Sequence, residues 1–273
     1  MTPRRFSLNR MLDAPRSGVL VAWANALLSG RVAPDDAVTR ITDGDDPHRV
    51  VGLPGESGEV GLSLALGRLR ALGVTGLRLA LPAPGDPLGL PGPPAFNDAA
   101  LEAGEAAVTV GLRGHQLGLV PEASVYGPAG DQAVRVLWRV HEVADRPPSG
   151  PFLAEADREL AGALTQATAE LLRLDVAGTG ARAHAVRAAL HDRGSGSSAE
   201  SPLAPGCPPR AVRVVEQARR VTAILAIAAG DHGAALNAYE MSARASTLAP
   251  LERACRRALV AAFGAALEPS AAE

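Results

Sequence analysis

The sequence predicts an α+β protein: an N-terminal mixed α/β part with a small sheet of about five strands, followed by an all-helical C-terminal part. Three observations predict it. Short apolar runs alternate with helical patterns over residues 1–148. One of those runs, QAVRVLWRVHEV, alternates apolar and polar residues as a half-buried strand does. Beyond ADRPPSGP, the apolar residues recur at helical spacing.

The elements follow in order. Ser17 to Ser29 reads as a helix capped by Ser17 and stopped by Gly30, with Leu20, Trp23, Leu27 and Leu28 on one face. APDDAVTRI is a second, short helix. Pro34 suits its first turn, and Asp35 and Asp36 complement the dipole there. Arg49 to Leu53 reads as a strand. EVGLSLALGRLRALG is a helix with Leu62, Leu66, Leu69 and Leu72 inward and Gly73 as its stop, and GLRLAL is the next strand. Strand, helix, strand predicts a βαβ unit.

LPAPGDPLGLPGPPAFN, residues Leu81 to Asn97, holds six prolines and three glycines in seventeen residues. Loops of this length in compact domains are functional or disordered. Leu81, Leu88, Leu90 and Phe96 give this one something to bury, and proline lowers the entropy lost on fixing it. An ordered wrap over the α/β part is expected. Asn97 is expected to cap a helix at DAALEAG. EAAVTVGLRG and HQLGLVPE predict a hairpin turning at Arg113 and Gly114. In QAVRVLWRVHEV, Val134, Val136, Trp138 and Val140 face the core, while Arg135, Leu137, Arg139 and His141 share the other face.

From Phe152 the pattern is helical to about Asp175, then from about Ala181 to Asp192. RGSGSSAESPLAPGCPP interrupts it with Ser, Gly and Pro, and three helices follow: about Arg210 to Ala229, Asp231 to Leu248, and Pro250 to Leu267. The expected division is 1–148 as the α/β part, 149–193 as helices, 194–209 as a flexible linker and 210–268 as a helical bundle part. A single fused domain, with helices over one sheet face, is the alternative.

Composition narrows the function classes. The chain has 273 residues, 47% hydrophobic and 21% charged, which is globular composition. All 27 basic residues are arginine, and the net charge is −2. No pull toward nucleic acid follows from that balance. Cys207 and Cys255 form no CxxC and no paired zinc spacing, so neither a metal nor a cofactor is implied. MTPRRFSLNRMLDAPRSG lacks the apolar centre of a signal peptide, and no apolar run reaches membrane-spanning length. A cytoplasmic protein without membrane contact is expected.

The motifs are mostly negative. VVGLPGESGEVG lies between strand and helix, but its glycines are spaced GxxGxxG and no Lys-Ser or Lys-Thr follows, so it is not a phosphate loop. TDGDDPHR gathers Asp43, Asp45, Asp46 and His48, yet Pro47 stands where a calcium loop needs its third ligand. A solvated acidic turn is expected. His184 and His191, seven apart, do not make a metal pair. No GxSxG or HExxH occurs, so no catalytic residue is named. Asp86, Asn97, Arg135 and Arg139 are the candidate ligand-binding residues. Asp86 follows a strand end, where ligands bind in βαβ settings, and the two arginines share a sheet face that suits a carboxylate or phosphate.

Gly230, Ala235, Leu236, Tyr239 and Pro250 in GDHGAALNAYEMSARASTLAP resemble the second helix of a tetratricopeptide-type pair. That resemblance implies an antiparallel helix hairpin. Its Ala, Arg, Gly and Pro bias without lysine suggests a GC-rich genome, and as a whole the chain resembles an uncharacterised protein family of GC-rich actinobacteria. That likeness implies no activity. Two readings result. One is a non-catalytic interaction or regulatory protein with an unknown protein partner. The other is an enzyme or small-molecule-binding protein whose site lies where loop 82–97 meets the sheet.

Overall fold

The structure, a computed structural model, describes residues 14–128, 131–146, 150–174, 201–230 and 238–267. The chain divides into two compact units. One comprises Pro15–Gly150, Pro202–Pro208 and Phe263–Glu273; the other comprises Met1–Ala14, Pro151–Ser201 and Pro209–Ala262. Among the described residues, no helix is long and apolar enough to cross a membrane.

The first unit opens with α1 (Arg16–Leu28) and α2 (Pro34–Thr42), then β1 (Arg49–Val51), β2 (Val60–Gly61), α3 (Leu62–Ala71) and β3 (Gly76–Ala80). It continues with α4 (Pro94–Ala103), β4 (Ala106–Val110), β5 (Gln116–Tyr126) and β6 (Ala133–Val143). The strands form one six-stranded mixed sheet, ordered β2-β1-β6-β5-β4-β3. The strand that sequence patterning misses is β2, only two residues long.

Only β1 and β6 run parallel; the other neighbours are antiparallel. Hence β1 and β3 run in opposite directions, with three strands between them. This corrects the expected βαβ unit. β2 folds back on β1 before α3 begins, so the chain leaves for β3 on the reverse heading. Local pattern shows that strands exist; it does not say which of them pair.

β6 behaves as its alternation requires. Val136 and Trp138 are fully buried, and Val134 and Val140 are half-buried. Their face of the sheet also carries Val50, Leu117, Leu119, Leu77 and Leu79, as register dictates. α1 packs on β3, β4 and β5. It is buried all round rather than along one stripe, because residues 202–208 and Phe263 also lie against it: Trp23 donates to the Pro202 carbonyl at 3.2 Å, and Gly18 abuts the Phe263 ring. Ser17 is not its cap. It lies inside the first turn, and its backbone N–H donates to the Glu105 carboxylate at 2.7 Å, which offsets the free amides of the helix start. Asn25 uses both ends of its amide on Leu77, donating to the carbonyl at 2.8 Å and accepting from the N–H at 2.7 Å, and so shields an edge strand.

The opposite sheet face receives α4. Phe96 is fully buried among Ala80, Ala100, Ala106, Val108, Val120 and Val143, with Leu90 packed beside them. Gly118 forms the floor beneath the ring; a β-carbon there would overlap Phe96. Leu81 and Leu88 are buried as well. Asn97 does not cap α4, which starts earlier, with Pro93 as N-cap and Pro94 in its first turn. Leu72, expected inward, is 43% exposed because it follows the last turn of α3 and leaves that helix's inner face.

The second unit holds α5 (Leu153–Leu174), α6 (Pro209–Gly230) and most of α7 (Ala238–Gly264), which a short 3-10 turn, Ala265–Leu267, extends. Arg210 pairs with Asp157 at 3.5 Å, and Arg257 with Glu159 at 2.9 Å. Pro250 does not start a new helix as expected; it lies inside α7. Leu251, Ala254, Cys255 and Ala258 are buried just beyond it, and that packing offsets the roughly 3 kcal/mol an internal proline costs. The helix expected over 181–192, the linker residues 194–200 and the start of the tetratricopeptide-like stretch at 231–237 lie outside the described residues.

Candidate functional site

Where α4 begins, the segment before it runs beside the exit of β6 and leaves a cleft of about 420 Å³ between them. Pro91, Pro93 and Pro94 form much of its wall, Asn97 stands on the α4 side, and Ala144 and Arg146 stand on the β6 side. The Gly92–Pro93 peptide is cis. Its lining contains no imidazole, thiol, hydroxyl or carboxylate side chain.

Both polar side chains of the cleft sit on fixed backbone. Asn97 Oδ1 accepts from the Gly92 N–H at 3.0 Å, which orients the amide and leaves its NH2 group to donate elsewhere. The backbone at Arg146 is held by Arg78, whose guanidinium donates to the Arg146 carbonyl at 3.0 Å. Next to it, Asp145 accepts from Gln116 Nε2 at 3.1 Å. Gln116 in turn donates to the Leu112 carbonyl at 2.9 Å and lies 3.1 Å from the Thr109 hydroxyl. Burial lowers the pKa of Arg78, and the Asp145 charge opposes that shift.

Of the residues singled out from sequence, Asn97 lines this cleft and Asp86, Arg135 and Arg139 do not. Asp86 closes a tight turn with Ala83 through paired backbone hydrogen bonds of 2.9 and 2.8 Å. Arg135 lies over the Tyr126 ring, 5.2 Å from its centre. Arg139 forks onto Glu122 at 2.7 and 3.0 Å. That hydrogen bonding holds the Glu122 carboxyl below its usual range. Ala144 and Arg146 escaped sequence reading because ADRPPSGP looked like a boundary. A guanidinium just past the strongest strand was the available signal.

Two carboxylates of the acidic turn, Asp45 and Asp46, have protein partners. Arg16 forks onto Asp45 at 2.8 and 3.1 Å, Tyr126 donates to Asp46, and the Asp46 N–H donates to the Val134 carbonyl at 2.9 Å. His48 is sealed in the core, 3.4 Å from Asp45 through Nε2. Among the described residues, no three His, Cys, Asp or Glu side chains are grouped to hold a metal ion. His141 packs against Phe96 with ring centres 5.8 Å apart, and its pKa is lowered by burial and then by Arg139.

Comparison with known proteins gives family, not chemistry. Residues 17–151 match the model of the Rv1486c-like protein N-terminal domain, and residues 154–260 match that of the C-terminal domain. The uncharacterized protein Rv1486c of Mycobacterium tuberculosis (strain ATCC 25618 / H37Rv) is 31% identical over 281 residues, covering 91% of this chain and 96% of that protein. The uncharacterized protein MT1533 of Mycobacterium tuberculosis (strain CDC 1551 / Oshkosh) matches to the same extent, 31% over 281 residues. No solved structure matches the chain. With both domain models matched in order and a relative similar over nearly its whole length, the chain belongs to the Rv1486c-like protein family.

Proposed function

We propose that this protein is a non-catalytic interaction protein of the cytoplasm and that the cleft between Asn97 and Arg146 takes its partner. The observation that carries this is the make-up of the lining: apolar proline surface with two hydrogen-bonding side chains and no nucleophile, acid or base. Such a surface recognises but does not react. A rigid wall also suits recognition, because proline loses little entropy when a partner arrives. Cys207 and Cys255 are free thiols, in keeping with a reducing compartment.

Filling the cleft tests the reading. Ala144 is exposed and lines it, so Ala144→Trp should block entry without disturbing the core. Proteins retained from the native host by the unaltered chain should be lost on this variant, with an unchanged melting temperature. An identical set of retained proteins on both chains would overturn the proposal. Retention of a metabolite in place of a protein would favour the small-molecule reading.

A further inference from the structure

On the reading that the cleft is the interaction site, we infer that it captures the C-terminal residue of a partner chain, with the α-carboxylate on Arg146 and Asn97 and an apolar side chain on the prolines. The donor inventory selects the carboxylate. Among the described residues the Arg146 guanidinium has no hydrogen-bond or ion-pair partner, while the Arg146 carbonyl accepts from Arg78. Asn97 Oδ1 accepts from the Gly92 N–H, so its NH2 is the end left to donate to a ligand. The side chains of the cleft therefore present a guanidinium and an amide NH2 as donors and no anionic acceptor. A carboxylate accepts from both at once, and a charge-assisted fork from arginine is among the stronger hydrogen bonds. A carboxamide at the same place would lack the charge that the guanidinium pairs with, and a cation would meet a guanidinium.

Charge agrees with the donor count. No carboxylate lines the cleft, and the charge of the nearest in sequence, Asp145, is set against that of Arg78. The other arginines singled out on β6 are occupied: Arg139 is neutralised by Glu122, and Arg135 lies on Tyr126. Arg146 thus gives the cleft a net positive end.

The apolar lining then chooses the source of the carboxylate. An Asp or Glu side chain carries its charge on one or two methylenes and would leave Pro91, Pro93 and Pro94 uncovered. A chain terminus brings an α-carboxylate and an apolar side chain in one residue. The cleft, at about 420 Å³, has room for both.

The test uses the full chain, isotope-labelled for NMR, with three probes: N-acetyl-Ala-Val-Leu with a free carboxylate, the same peptide as its carboxamide, and hexanoate. The free-acid peptide should shift the Asn97 side-chain amide and the Ala144 and Arg146 resonances saturably. The carboxamide should bind about tenfold more weakly, and Arg146→Gln should weaken the acid about tenfold while leaving the carboxamide unchanged, as loss of a charge-assisted bond requires. Absence of saturable shifts with the acid, or equal binding of acid and carboxamide, overturns the inference. Hexanoate binding as tightly as the peptide overturns the assignment to a chain terminus. Each of these outcomes leaves the broader reading to be judged by Ala144→Trp alone: loss of the partner on that variant keeps the cleft as the interaction site even if carboxylate capture fails.

Discussion

Trp138 donates its indole N–H to Nδ1 of His48 across 3.2 Å, and both side chains are buried. An Nδ1 that accepts cannot carry a proton, so His48 is the neutral tautomer with its N–H on Nε2, facing Asp45. Arg16, forked onto Asp45, completes the chain. A turn that looks solvated in sequence is thereby tied to the centre of the sheet.

Stability should fall on mild acidification. Burial lowers the His48 pKa; the Asp45 hydrogen bond and charge oppose the shift, and Arg16 adds to it. The unfolded chain takes up this proton near the ordinary value of about 6.5, and the folded chain only at lower pH. The stabilisation is therefore complete above that value and is lost as pH drops below it, until the folded pKa is reached. His141 shifts in the same direction and adds to the slope. Urea midpoints measured from pH 8 to 5 should decline below about pH 6.5 with a limiting slope of about 1.4 kcal/mol per pH unit for His48, to which the more solvent-screened His141 adds less. A flat profile across that range contradicts the neutral assignment.

Trp138→Ala should cost roughly 3–5 kcal/mol, as for other fully buried aromatics. Trp138→Phe isolates the hydrogen bond: it keeps most of the packing but leaves His48 Nδ1 without its donor, at about 1–3 kcal/mol. Denaturant titration should therefore rank the chains wild type, Phe, Ala. If the Phe variant matches the wild type, the indole–imidazole bond contributes nothing.

Gly118 and Phe96 should prove coupled. A methyl at Gly118 overlaps the ring, so Gly118→Ala should destabilise by about 1–3 kcal/mol through overpacking. Phe96→Ala should cost about 3–5 kcal/mol. In the double variant the new methyl enters space the ring has left, and the two losses should fall short of additive by at least about 0.5 kcal/mol. Additive losses would mean that the two residues are not in contact.

Cys255 should resist alkylation in the folded chain. Burial pushes its thiol up to about 12, so little thiolate exists at pH 8. Cys207 is also raised by burial, with Arg31 acting the other way, and it is less buried. Iodoacetamide followed by mass spectrometry should label Cys207 first and Cys255 only in denaturant. Early labelling of Cys255 would show that its part of the helical unit opens readily.

Arg139→Ala should change stability by less than about 1 kcal/mol, because its pairing with Glu122 is solvent-exposed. A larger loss in a thermal melt would mark this pair as structural.

The sequence by itself determined the α+β class, the helical second half, the burial of Val136 and Trp138, and the capacity of Phe96 and Leu88 to be buried. These are legible because each rests on local periodicity or on the apolar character of a single side chain. Asn97 could be named from sequence as a polar residue after the proline stretch for the same local reason, and it lines the cleft. Tertiary structure decided the rest. The parallel seat of β1 beside β6, the reversal by β2 and the all-round burial of α1 depend on which segments meet. The bond between Trp138 and His48 spans 90 residues, and that between Asn25 and Leu77 spans 52. No window of sequence contains both partners. The same holds for the cleft. Asn97 and Arg146 are near each other only because α4 lies on the sheet beside the exit of β6, while the more conspicuous Arg139 found Glu122 on the neighbouring strand. Residue type shows which groups can bond, and chain topology chooses their partners.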